Sequence, residues 1–172
     1  MLQVKVKKFH PNAVIPKYAK KGDAGLDLTA VSKKFDKDGN IVYDIGLGFE
    51  IPDGYMGLLF PRSSNAKKDL ILTNSVGVID SGFRGSVAMK YKPSGVFADY
   101  NGEKTSEEFE NSLDFVDFPK GEENDLDLIL YEVGERVGQI IIIPYPQIQL
   151  IESEELSKSE RGENGYGSTG TK

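Results

Sequence analysis

The chain has 172 residues, no cysteine, no tryptophan, one histidine (His10) and a net charge of −6. Disulfides and thiolate chemistry are therefore excluded, and neither a histidine-based metal site nor a Ser-His-Asp triad can form unless chains share His10. The length suits one domain with a full core, and 19 glycines among many short alternating stretches favour an all-β sandwich or jelly roll over an α/β fold.

At the amino terminus Leu2, Val4 and Val6 alternate with polar residues, the pattern of a half-buried strand and not of a signal peptide. His10 precedes Pro11 and reads as a loop residue. A polar loop at 17–22 leads into a strand at 23–30, where Leu26, Leu28 and Ala30 alternate with Asp27 and Thr29. Asp27 either orients water around a metal-phosphate complex or is a sheet-face carboxylate satisfied by backbone. Residues 33–40 read as a charged turn, 41–51 as strands broken by Gly46 and Gly48, 52–54 as a turn, and 55–60 as a strand.

That strand delivers Pro61-Arg-Ser-Ser64, where a strand stops and a short helix can begin. Backbone N–H groups, two hydroxyls and a guanidinium would meet there, as in a phosphate site. Serine as a helix N-cap explains the hydroxyls equally well; Arg62 beside them favours phosphate. Asn74 falls in the strand 70–78, and its amide can donate and accept, as reading a base edge requires, or it is a turn asparagine. The run Gly77-Val-Ile-Asp-Ser-Gly-Phe-Arg-Gly85 lies between the strands 70–78 and 86–91, so Asp80 and Phe83 are placed at a β-hairpin tip. Glycines 77, 82 and 85 tolerate positive φ and allow close backbone approach to a flat ligand.

Residues 94–135 carry thirteen acids against two lysines, whereas the remainder carries fourteen acids against nineteen lysines and arginines. An anionic ligand would be drawn to that basic remainder, although a scattered excess is also an ordinary solvated surface. Within 94–127, Thr105-Ser-Glu-Glu108 forms a capping box ahead of Phe109, Leu113 and Val116 at helical spacing, giving a short amphipathic helix in a surface excursion. Strands follow at 126–133 and 136–143 with a turn at 134–135, and Gln139 either faces water or meets a ligand. The run 140–143 is too short to span a bilayer. A strand at 148–151 precedes a charged linker at 152–160. The tail Arg161-Gly-Glu-Asn-Gly-Tyr-Gly-Ser-Thr-Gly170 lacks the Gly-Lys-Ser/Thr of a P-loop, but it offers N–H groups, hydroxyls, a charge and a stacking ring.

Five segments in order, Ala24-Gly-Leu-Asp-Leu28, Pro61-Arg-Ser-Ser64, 77–85, Arg136-Val-Gly-Gln-Ile140 and 161–170, resemble the five motifs of the homotrimeric dUTPases. The resemblance spans nearly the whole chain outside 94–127. It implies a jelly-roll-like β-sandwich subunit, with core 1–93 and 128–150, a small partly helical acidic insertion at 94–127, and a linker and flexible arm at 151–172. Three subunits would share three active sites, in which dUTP and water give dUMP and pyrophosphate, limiting uracil incorporation into DNA.

In that scheme Mg²⁺ is chelated by the triphosphate and has no direct protein ligand. Asp80 is the general base toward water at the α-phosphorus, and Asp27 supports the site through water. Arg62, Ser63, Ser64 and Gln139 hold phosphates; Asn74, the backbone of Gly77, Val78 and Ile79, and Met89 surround the nucleoside. Arg161, Tyr166, Gly167, Ser168 and Thr169 close over the substrate, with Tyr166 stacked on the base.

Phe83 stands where most relatives have tyrosine against the deoxyribose. The insertion resembles the extra segment of staphylococcal-phage dUTPases, relatives that also bind a repressor, which implies a repressor as a second partner. A dCTP deaminase-like enzyme and a primarily repressor-binding regulator are the competing readings. Expectations of location are the cytoplasm, of a bacterial host if phage-encoded, with neither membrane nor direct DNA binding.

Overall fold

A computed structural model describes residues 2–94 and 129–163. Ten strands and one 3₁₀ turn make up the regular structure of these residues: β1 Lys5–Lys8, β2 Leu26–Thr29, β3 Ser32–Phe35, β4 Ile41–Asp44, β5 Leu47–Glu50, β6 Tyr55–Phe60, the 3₁₀ turn Ser63–Lys67, β7 Leu70–Leu72, β8 Gly77–Ile79, β9 Ala88–Pro93 and β10 Arg136–Pro144. All pairings are antiparallel. Two four-stranded sheets, β2-β10-β6-β8 and β3-β4-β9-β7, are accompanied by the ribbon β1-β5. This is the expected all-β jelly roll.

The alternating strands explain the core. Leu28, Leu59, Val137 and Ile140 from one sheet meet Ile41, Tyr43, Leu72, Met89 and Tyr91 from the other in a single buried cluster. Burying each such side chain contributes about 1.5–3 kcal/mol. The sheets approach so closely that a Cβ on Gly138 would come within 2.5 Å of Met89 Cε. Three tyrosines, 43, 91 and 131, pack edge-to-face or tilted with ring centroids 6.0 Å apart. Their hydroxyls donate to Tyr131 O, Val137 O and Asn65 Oδ1 respectively, as buried phenols require. Burial pushes the Tyr43 phenol up to about 12 and raises Tyr91 and Tyr131 as well, so all three act as neutral donors.

Several local expectations need correction. The strand predicted over 70–78 splits into β7 and β8, because Ser75 has φ 58 and turns the chain, with Ser75 N donating to Leu72 O. Asn74 therefore sits in a turn. The two halves enter different sheets, β8 pairing with β6 and β9 with β4 and β7, so the segment carrying Asp80 crosses between sheets and is no hairpin tip. The charged turn predicted over 33–40 begins later, after β3. Its end is organised by Asp36, whose carboxylate accepts from Asp38 N, Asn40 N and Asn40 Nδ2; the Asn40 amide above all holds that carboxyl well below its usual range.

Residues 129–133 form no strand: their polar groups bond to the 65–69 segment and to Lys33 in place of a ladder. Residues 148–151 form none either. Ile148, Leu150 and Ile151 are 75–88% exposed, with no sheet to cover them among the described residues. The helix predicted in 94–127 and the arm residues Tyr166, Gly167, Ser168 and Thr169 lie outside the described residues.

Candidate active site

The central strand β10 assembles one cleft. Gln139 faces Asp27 on β2 and Phe60 on β6 in a single cross-strand row, and Phe60 leads directly into Pro61-Arg62. Gln139 Nε2 donates to Pro61 O at 3.0 Å, which ties the fourth motif to the second. Asp27 lies between two guanidiniums: Oδ1 accepts from Arg62 Nε at 2.7 Å and Oδ2 from Arg136 Nη1 at 2.9 Å. Arg62 Nη1 also donates to Ser64 Oγ at 3.1 Å. Both ion pairs are partly exposed and add little stability. They hold two cations in a fixed geometry.

Arg136 was not among the residues assigned from sequence. Strict alternation puts positions 136 and 139 on opposite faces of a strand. A bulge between Arg136 and Gly138 inserts one residue, leaving Val137 and Gly138 both buried and turning Arg136 to the same side as Gln139. A Gly two residues after an Arg in a strand run was the available signal.

The cleft, of about 670 Å³, is lined by Lys17, Lys20, Asp23, Gly25, Asp27, Arg62, Ser63, Arg136 and Gln139, among others. Four cations thus face two carboxylates, a field suited to a polyanion. The 3₁₀ turn at Ser63–Lys67 has no side-chain cap, so the hydroxyls of Ser63 and Ser64 are not spent on capping as an ordinary N-cap would be. Gly25 is required by contact: a Cβ there would overlap the Gln139 amide oxygen. Gly25→Ala is therefore expected to displace that amide and forfeit its bond to Pro61, raising the KM for a phosphorylated substrate about two- to tenfold while leaving the melting temperature nearly unchanged. Steady-state kinetics beside thermal melting checks this.

A second cleft, of about 260 Å³, is lined by Leu59, Leu72, Thr73, Asn74, Ala88, Met89 and Lys90. Met89, buried and packed on Gly138, forms part of the floor of this cleft beside Asn74. Gly77, Val78 and Ile79 form β8, which ends its sheet, so their outward backbone groups have no strand partner among the described residues. Asp80 is exposed in the turn that follows, where Phe83 N donates to Asp80 O at 3.1 Å.

The Phe83 ring covers Gly85, whose added Cβ would lie 2.8 Å from Phe83 Cζ, and a Cβ on Gly77 would crowd Leu59. These two glycines serve close packing. Neither they nor Gly82 has positive φ. Arg84 Nη1 donates to Ser81 O and Phe83 O, bracing the turn. Arg161 lies beyond the exposed segment 145–160, beside the turn in which Gly162 N donates to Ser159 Oγ. Within one chain, then, Asp27, Arg62, Ser63 and Gln139 are brought together, whereas Asn74 lines a different cleft and Asp80 lines neither.

A family model described as dUTPase matches residues 11–95. A deoxyuridine 5'-triphosphate nucleotidohydrolase of Nautilia profundicola is 33% identical, covering 98% of this chain and 99% of its own. One of Clostridium acetobutylicum is 32% identical, covering 100% and 99%. Among solved structures, the dUTPase of Staphylococcus bacteriophage 80alpha with dUPNHPP superposes with a TM-score of 0.69 at 28% identity, covering 99% of both chains. With the five motifs in order on an antiparallel jelly roll, and relatives above 30% identity over their full length, the chain belongs to the dUTPase family.

Proposed function

We propose that the protein hydrolyses dUTP to dUMP and pyrophosphate, and that it does so as a homotrimer. The observation that carries this reading is the cleft in which Asp27 fixes Arg62 and Arg136 beside Ser63 and Gln139, a polyanion site built from three of the five motifs. The separation of that cleft from Asn74 and Asp80 supports assembly, since a phosphate grip on one subunit then serves a nucleoside cleft on another. The exposed Ile148, Leu150, Ile151 and Leu156 supply apolar surface for the same contact.

Displacement at phosphorus needs in-line positioning and neutralised charge above all. Arg62, Ser63, Ser64 and Gln139 hold the triphosphate, with Arg136 as a further cation. Asp80 accepts the proton of the water that attacks the α-phosphorus, and pyrophosphate leaves. Both Asp27 oxygens are engaged by guanidiniums. That donor set suits Mg²⁺ arriving on the triphosphate, where it neutralises charge, with Asp27 reaching it through water.

The edge backbone of β8 reads uracil: cytosine reverses the donor and acceptor edge and leaves buried groups unpaired. Thymine adds one methyl, worth only about 1–3 kcal/mol in a soft pocket, and a rigid β8 edge excludes it by clash. The Phe83 ring packs against the deoxyribose, without the phenol that most relatives carry.

Arg62→Gln tests the phosphate assignment. Loss of a charge-assisted grip costs about 1.5–3 kcal/mol, so KM for dUTP is expected to rise at least about tenfold; an unchanged KM contradicts the assignment.

The acidic insertion supports a second role. The 80alpha relative is described as controlling transfer of virulence genes by a proto-oncogenic G protein-like mechanism, and here 94–127 is the part proposed to meet a repressor protein. Deleting 94–127 is expected to abolish repressor binding in a pull-down and to leave dUTP hydrolysis within about threefold, since the two sites share no residue. Retained binding counts against the role.

A further inference from the structure

The segment that follows the insertion bonds to the phosphate turn residue by residue. Ile129 N donates to Asp69 Oδ2 at 2.7 Å, and Asp69 N returns a bond to Ile129 O at 3.1 Å. Leu130 O accepts from Lys68 Nζ at 2.6 Å. Tyr131 OH donates to Asn65 Oδ1 at 3.2 Å, while the Lys68 ammonium lies 4.8 Å from the centroid of the Tyr131 ring.

Asn65 is the keystone on the other side. Its N–H donates to Arg62 O at 2.9 Å and closes the turn, its O accepts from Lys68 N, and its Nδ2 donates to Leu70 O at 2.9 Å. Tyr131 is 2% exposed and locked between Tyr43 and Tyr91, so its hydroxyl is a fixed point of the core. Burial raises the Tyr131 pKa, while a hydrogen bond with Ser64 and the charge of Arg62 lower it.

We infer that Tyr131 is a positioning residue for the reaction: through Asn65 it sets the turn that aims Arg62, Ser63 and Ser64 into the cleft. This rests on the assignment of those three residues to the triphosphate. A tyrosine outside all five motifs thereby transmits the rigidity of the core to the substrate. The ring supplies packing, and the hydroxyl alone supplies aim.

Tyr131→Phe separates the two. Loss of one buried hydrogen bond is expected to raise KM for dUTP about two- to tenfold, with kcat within about twofold. Tyr91→Phe removes an equally buried hydroxyl, bonded to Val137 O, and its melting temperature gauges the stability cost of losing such a bond. Asn65→Ala, which removes the other end of the bond, should reproduce the KM rise, and it decides the matter if Tyr131→Phe does not fold. Unchanged KM for dUTP in folded Tyr131→Phe and Asn65→Ala overturns the inference. An Arg62→Gln variant with wild-type KM overturns instead the phosphate assignment beneath it.

Discussion

Asp80→Asn is expected to reduce kcat for dUTP about 10² to 10⁴-fold, the usual contribution of a general base, with KM changed far less. The substitution keeps the side chain's size and its place in the exposed turn while removing its ability to take a proton. The turn itself is held by backbone and by Arg84, through Phe83 N to Asp80 O and the guanidinium on Ser81 O and Phe83 O, so its shape does not depend on the carboxylate. A KM effect without a kcat effect makes Asp80 a binding residue, and no effect on either removes it from the chemistry. Rapid-quench measurement of dUMP formation tells these apart.

Truncation before Arg161 is expected to cost about 10²-fold or more in kcat/KM while the assembly stays trimeric, as read by light scattering. The arm carries a charge in Arg161, a ring in Tyr166, and the Gly167-Ser-Thr169 N–H and hydroxyl groups. In the proposed reading it closes over the base and the γ-phosphate and excludes water. The exposed apolar residues 148–156 precede the cut and are retained, so loss of the trimer would show that the arm has a structural duty. Full activity without it would remove the arm from the site.

The fold was legible where a side-chain pattern is confined to one strand. The apolar run 55–60 is bounded by the turn 52–54 and by Pro61, and β6 occupies Tyr55–Phe60. Gly54, at φ 79, makes the expected turn before it. The pattern fails where tertiary geometry decides. Nothing in 70–78 announces that Ser75 takes a left-handed conformation and sends β7 and β8 into opposite sheets.

The same division holds for the site. Arg62, Ser63 and Ser64 were recognisable because phosphate chemistry restricts residue types, Asp27 and Gln139 only through the motif resemblance, and the structure places Asp27, Arg62, Ser63 and Gln139 around one cleft. Arg136 was missed because a bulge is invisible to a period-two reading. Tyr131 was missed because a core tyrosine and a positioning tyrosine have the same sequence signature.

The identity of the substrate and of the bond that is cleaved separates a dUTP hydrolase from a deaminase. The most direct measurement is pyrophosphate and ammonia release from dUTP, dTTP, dCTP and UTP, each with Mg²⁺ and with the ion chelated. The prediction is Mg²⁺-dependent pyrophosphate from dUTP, little from the other three, and no ammonia from any. Ammonia from dCTP, or pyrophosphate from all four nucleotides alike, would contradict it.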